Sequence, residues 1–173
     1  MPRAPVMAQF PNGISRCNSG MWSGRSLMSP CLSRNRSDYV YMAPPFIAYF
    51  GAYQQGDAQI YLLRVAYDQC RLYRQYLQDK STKLWRHIVL GTDQDHNLWA
   101  TGNSWAAAGM LRVLQIIRLS DSSECFINEQ NHLLNWIEEI VEAAWCYQVN
   151  AILHGRTAHT CSFLTFVRSF VDI

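Results

Sequence analysis

Asp38 opens the stretch Asp38-Tyr-Val-Tyr-Met-Ala-Pro-Pro-Phe-Ile-Ala-Tyr-Phe-Gly51, one carboxylate ahead of three tyrosines, a methionine and two phenylalanines. Proline is tolerated in the first turn of a helix and costly further in, so a helix is expected to start at Pro44 or Pro45. Asp38 then lies upstream, in a loop or fraying turn beside an aromatic wall. A carboxyl group held against aromatic rings loses hydration, which raises its pKa and suits it to donate a proton near neutral pH. The competing reading makes Asp38 a helix cap and the rings core. Two later stretches carry further polar and aromatic groups: Thr82-Lys-Leu-Trp-Arg-His87, and Asp93 to Arg112 with its Trp99-Ala-Thr-Gly-Asn-Ser-Trp105.

Taken in order, Asp38, Met42, Pro45-Phe46-Ile47, Leu84-Trp85-Arg86-His87 and Trp99 to Trp105 resemble the motifs of the unsaturated rhamnogalacturonyl hydrolases. These are six-hairpin glycosidases of families 105 and 88. The resemblance runs over residues 38 to 148 and implies an all-α fold, part of an (α/α)6 toroid. It also implies removal of a Δ4,5-unsaturated galacturonyl residue from pectin (rhamnogalacturonan) fragments, by a route unlike that of paired-carboxylate glycosidases. One aspartate protonates C4 of the vinyl ether and assists water addition at C5, after which the hemiketal collapses. Asp38 matches that aspartate, and Tyr41, Met42 and Phe46 would give a carbon-protonating acid its apolar setting.

The same resemblance makes His87 a substrate contact, Met42 a pocket residue, and Trp99 and Trp105 walls of the sugar pocket, since flat aromatic faces bind the C–H faces of sugars. Trp105, at a helix start, fits a core position equally well. Gly102 and Asn103 are expected to shape the turn. Thr101 stands where many bacterial members carry an arginine suited to the uronate carboxylate; fungal-type members also have threonine there. The family's second aspartate has no counterpart in residues 1 to 36, and Asp93 and Asp95, the nearby loop acids, match no family position. No cofactor is implied.

Composition bounds the alternatives. A 173-residue chain that is 49% hydrophobic and 16% charged fits one domain with a sizeable core. A formal charge of +2 with scattered arginines gives no nucleic-acid footprint. No apolar run reaches the roughly 20 residues of a membrane span. The six cysteines form no Cys-x-x-Cys pair and are expected as free, mostly buried thiols. His154 and His159 have no acidic or cysteine companions, so no metal site is expected.

Three regions follow: a leader over 1–36, with five arginines, no acid and several breakers, a partial six-hairpin domain over 37–149, and a divergent tail over 150–173. The leader has the Arg-rich, acid-free composition of a transit peptide but breakers that oppose a helix; the compartment stays open between secreted and cytoplasmic. Within the domain, Ile60, Leu63, Tyr67, Cys70, Tyr73 and Leu77 predict an amphipathic helix over 57–78, paired in a hairpin with the one before it. An extended loop follows, its single strand-like piece at 84–90. A third helix, capped by Asn103, runs to about Ser120 with Trp105, Ala108, Leu111, Leu114 and Ile117 or Arg118 at helical spacing. A fourth covers 128–148 on the stripe Leu133, Ile137, Ile140, Ala144 and Tyr147, and the apolar run 161–171 is expected to add one short helix. An open toroid edge predicts self-association. The other function class is an inactive toroid fragment serving as a carbohydrate-binding or interaction module.

Overall fold

The computed structural model describes residues 35–152, the last five by backbone alone. The expected tail helix at 161–171, and most of the expected leader, lie outside them.

Four helices carry the fold: α1 (Ala43–Ala52), α2 (Gly56–Leu77), α3 (Ala100–Arg118) and α4 (Ile127–Ile152). Pro44 and Pro45 fall in the first turn of α1, where their missing N–H groups cost nothing, so the helix starts where the proline pair dictates. α1 packs on α2 across a three-residue connection and on α3, which in turn packs on α4. On α2 the buried side chains Leu63, Tyr67, Cys70, Tyr73 and Leu77 follow the expected stripe. On α3 Leu114 and Ile117 are buried as expected, together with Ala106, Met110 and Val113 beside that stripe, whereas Trp105 is 40% exposed. The small residues rather than the large aromatic face inward, because a neighbouring backbone comes close on that side.

Two glycines allow that approach. A side chain on Gly109 would collide with the Val40 carbonyl, its Cβ lying 2.6 Å from the Val40 carbonyl carbon and 2.8 Å from Tyr41 Cα. One on Gly102 would collide with Ser37 Oγ and lie 2.6 Å from the Trp99 ring. Seven residues apart on α3, they seat the short 3-10 turn Ser37–Tyr41, which carries Asp38.

A small sheet accompanies the helices. Strands β1 (Asn35–Arg36), β2 (Arg86–Val89) and β3 (Asp95–Leu98) pair antiparallel in that order. Only β2 falls within the expected strand-like piece; β3 occupies residues read as loop, and β1 residues read as leader. Four-residue strands rich in His, Asp, Asn and Arg carry almost no periodicity. What organises them is the turn between β2 and β3, where Leu90 and Gly91 both take positive φ, 66° and 80°.

Polar links lock α2 to α4. Arg64 pairs with Glu129 and lies over the Phe126 ring, while Arg74 donates to Glu139 at 2.6 Å and stacks on Trp136. Tyr67 shares a hydrogen bond with His132 Nδ1 at 2.8 Å, and burial pushes the tyrosine hydroxyl up to about 12. Cys70 is a buried free thiol, as expected, Cys146 is free but exposed, and Cys125 is disulfide-bonded, against the expectation of free thiols. Burial of the thiol pushes Cys70 far up, so it stays protonated and inert.

Candidate functional site

Asp38 sits in the 3-10 turn between β1 and α1, with 17% of its side chain exposed. Its carboxylate accepts from Arg36 Nε at 3.0 Å and Nη2 at 3.2 Å. The group that its carboxylate bonds is thus a guanidinium, which the expected aromatic setting did not include. Arg36 belongs to a stretch read as leader, and two residues of separation across a strand end were too local a signal to show the pair.

His87 lies in β2 and meets Trp99, their ring centroids 4.6 Å apart. Its Nδ1 is 2.9 Å from Asp95 Oδ2, across the β2–β3 turn, and its Nε2 is buried with no partner among the described residues. Asp95 is held below the usual carboxylate range, first by the hydrogen bond from His87 and then by the Asn97 backbone N–H. Sequence reasoning found His87 and left Asp95 aside, although an antiparallel turn placed between them brings positions eight apart together.

The remaining expected residues divide between these two centres. Trp99 immediately precedes α3. Thr101 is exposed in the first turn of that helix. Trp105 does not join Trp99; its ring packs on Tyr41 at 4.4 Å, and Arg112 covers Tyr41 at 4.6 Å. Met42, 58% exposed, follows directly on the Asp38 turn. Among the described residues no hydrogen bond joins Asp38 to His87. The two centres meet instead at Gly102, where Ser37, the residue before Asp38, and Trp99, the ring partner of His87, crowd the same space.

Asn103 holds the second centre in place. It is 2% exposed, and rather than capping α3 its side chain behaves as a strand edge toward Trp85. Oδ1 accepts from the Trp85 N–H at 2.7 Å, while Nδ2 donates to the Trp85 carbonyl at 2.9 Å and to the Trp99 carbonyl at 3.0 Å. One side chain thus fixes the entry to β2, two residues before His87, against the start of α3. At the same entry Asp79 accepts from Ser81, from the Thr82 N–H and from Arg86 at 3.1 Å, contacts that hold its carboxyl well below the usual range. No cluster of metal-ligating side chains occurs among the described residues.

Comparison with known proteins places this arrangement. The chain has the fold, at TM-score 0.51 and 15% identity, of a family 105 glycoside hydrolase from C. acetobutylicum ATCC 824. The likeness covers 64% of this chain and 31% of that one, so the four helices correspond to part of a larger helical toroid. No curated protein matches. The Glycosyl Hydrolase Family 88 model matches residues 14–148, which include the Asp38 turn, the β2–β3 hairpin and the start of α3. The chain belongs to glycosyl hydrolase family 88.

Proposed function

We propose that the chain forms part of a glycosidase that removes a Δ4,5-unsaturated galacturonyl residue from pectin (rhamnogalacturonan) fragments, with Asp38 as the acid/base group. The observation that carries this reading is a half-buried carboxyl on a turn clamped to α3, meeting the His87–Trp99 pair at Gly102. Asp38 donates a proton to C4 of the vinyl ether and then assists water at C5; collapse of the hemiketal releases the sugar. Met42, Trp99 and Trp105 offer apolar surface for the ring, and Thr101 a hydroxyl at the mouth of α3. His87 packs against Trp99 and reaches a ligand only when its buried Nε2 is uncovered. The ion pair with Arg36 must open before Asp38 can donate, and a uronyl carboxylate is a natural competitor for that guanidinium.

The assay is the loss of ultraviolet absorbance of the unsaturated uronyl group, run on a chain carrying the whole toroid. Asp38→Asn should abolish nearly all turnover while leaving sugar binding in place; normal turnover by that variant would remove the assignment.

A further inference from the structure

Asn35, Ser37 and Asp95, polar residues beside the Asp38 turn and His87, have no part in the proposed reaction. β1 pairs with β2 in the register Asn35↔Val89 and Arg36↔Ile88; Ser37 follows Arg36 as the first residue of the 3-10 turn, and His87 precedes Ile88 in β2. Asn35 and Ser37 are buried, at 1% and 0% exposure, while Arg36 between them is half-buried. Ser37 and His87 also share a neighbour. The Trp99 ring lies 4.6 Å from the His87 ring, and it crowds Gly102 together with Ser37 Oγ.

Ser37 Oγ and His87 Nε2 are both buried, and neither has a partner among the described residues. A buried polar atom left unpaired costs about 1–3 kcal/mol, so two of them converging on one ring ask for a common solution. The other side of His87 faces Asp95. An ionised carboxylate only accepts hydrogen bonds, so the 2.9 Å contact to Asp95 places a proton on Nδ1. Asp95 is itself braced, its Oδ1 accepting from the Asn97 N–H at 3.0 Å and Nδ2 at 2.8 Å. On a neutral ring Nε2 is then the lone-pair atom.

We infer that Asp95 and His87 are positioning residues: Asp95 fixes His87 as its Nδ1–H tautomer, and Nε2 accepts from Ser37 through one bridging water, tying the Asp38 turn to the β2–β3 hairpin. The water is needed because the two atoms are not in direct hydrogen-bond contact. Asn35 Nδ2, also buried and without a partner among the described residues, can serve as its third polar partner. That the arrangement serves catalysis rests on reading Asp38 as the acid/base group; the tautomer and the Ser37 link do not.

The test is nitrogen-15 NMR of the imidazole rings of the full 173-residue chain, without sugar, at about pH 8.5, two units above the usual histidine value. Loss of signals in His87→Gln identifies the ring. The wild type should show a pyrrole-type Nδ1 and a pyridine-type Nε2, the Nδ1–H form exceeding the other by at least about tenfold, as a hydrogen bond to a charged group implies. Ser37→Ala should move the Nε2 resonance and leave Nδ1 protonated, and Ser37→Thr should restore it. Asp95→Leu should shift the proton mainly to Nε2, whereas Asp95→Asn, whose side-chain oxygen still accepts, should keep it on Nδ1. A wild-type ring protonated on Nε2, on both nitrogens or in rapid exchange would overturn the inference. So would an Nε2 resonance unmoved in a folded Ser37→Ala. The wild-type spectrum decides the tautomer even where a variant fails to fold. Failure to bind or turn over the unsaturated uronyl sugar would count against the proposed function while leaving these resonances unchanged.

Discussion

Replacing Asn103 with alanine tests whether the site is held by one side chain. In the native protein Asn103 satisfies both backbone groups of Trp85, a residue fully buried at 0% exposure. The third bond, to the Trp99 carbonyl, is duplicated by the Asn103 backbone N–H at 3.0 Å, so its loss leaves that carbonyl paired. The cost therefore comes from two orphaned groups, at about 1–3 kcal/mol each. Alanine returns about 0.5 kcal/mol in helix propensity, and the net loss is about 1.5–5.5 kcal/mol. Asn103→Asp separates hydrogen bonding from packing. The carboxylate still accepts from the Trp85 N–H but turns a charge toward two carbonyls, so near neutral pH it should destabilise at least as much as alanine. Protonation lets it donate again, so the folded variant binds a proton more tightly than the unfolded chain, and its stability falls as pH rises. Urea unfolding followed by tryptophan fluorescence measures all three proteins. An Asn103→Ala variant within about 0.5 kcal/mol of wild type, the scatter of ordinary surface substitutions, would refute the clamp, and so would an Asp variant more stable than the Ala variant near neutral pH.

Asp38→Asn, in a chain carrying the whole toroid, should lower kcat by roughly 10² to 10⁴, the contribution of general acid catalysis, with little change in sugar affinity measured by calorimetry. The 173-residue chain alone should show little or no turnover in the absorbance assay, because it corresponds to 31% of its structural neighbour. Gly109→Ala should cost about 1–3 kcal/mol in thermal or urea unfolding, since the colliding atoms are Val40 and Tyr41 backbone and cannot rotate away. Acid should destabilise the fold. Asp79 is lowered chiefly by Ser81 and Arg86 and Asp95 chiefly by His87, while Glu139, although desolvation pushes it up, is held below its ordinary value by Arg74 and Gln78. Folded values below unfolded ones mean that stability is present above about pH 4.5 and lost as pH falls further, which a series of thermal melts from about pH 6 to 3 would show. The outer face of α1 exposes Met42, Phe46, Tyr49, Phe50 and Tyr53 at helical spacing. Self-association through that face should therefore weaken in Phe46→Glu with Tyr53→Glu, as read by light scattering.

The helices were legible because each is long enough for its period to show. On α2, buried residues three or four apart reproduce the expected stripe from Leu63 to Leu77, and the proline pair marks the start of α1. On α3 the expected stripe holds at Leu114 and Ile117, which are buried, and fails at Trp105, which is exposed. Near the start of the helix the buried side is set by what must come close, and a 3-10 backbone resting on Gly102 and Gly109 demands small residues. The candidate site divides in the same way. Residues that match a family motif, among them Asp38, His87 and Trp99, could be named individually. Their partners could not, because Arg36 with Asp38 and Asp95 with His87 depend on strands too short to announce themselves.

That division bears on how the site is held. Glycine and asparagine at positions 102 and 103 look in sequence like the punctuation of a turn, but in the fold each acts across elements. Gly102 lets Ser37 and Trp99 occupy one space, and Asn103 joins Trp85 to Trp99. The Asp38 turn and the His87 hairpin thus converge on the first turn of α3, joined to each other upstream by the pairing of β1 with β2. A helix start is a rigid place for such a junction, and rigidity is what a proton donor aimed at carbon requires. On this argument the first turn of α3 should tolerate substitution less well than any of the aromatic residues that line the proposed pocket, since a lost wall weakens one contact and a lost junction releases both halves.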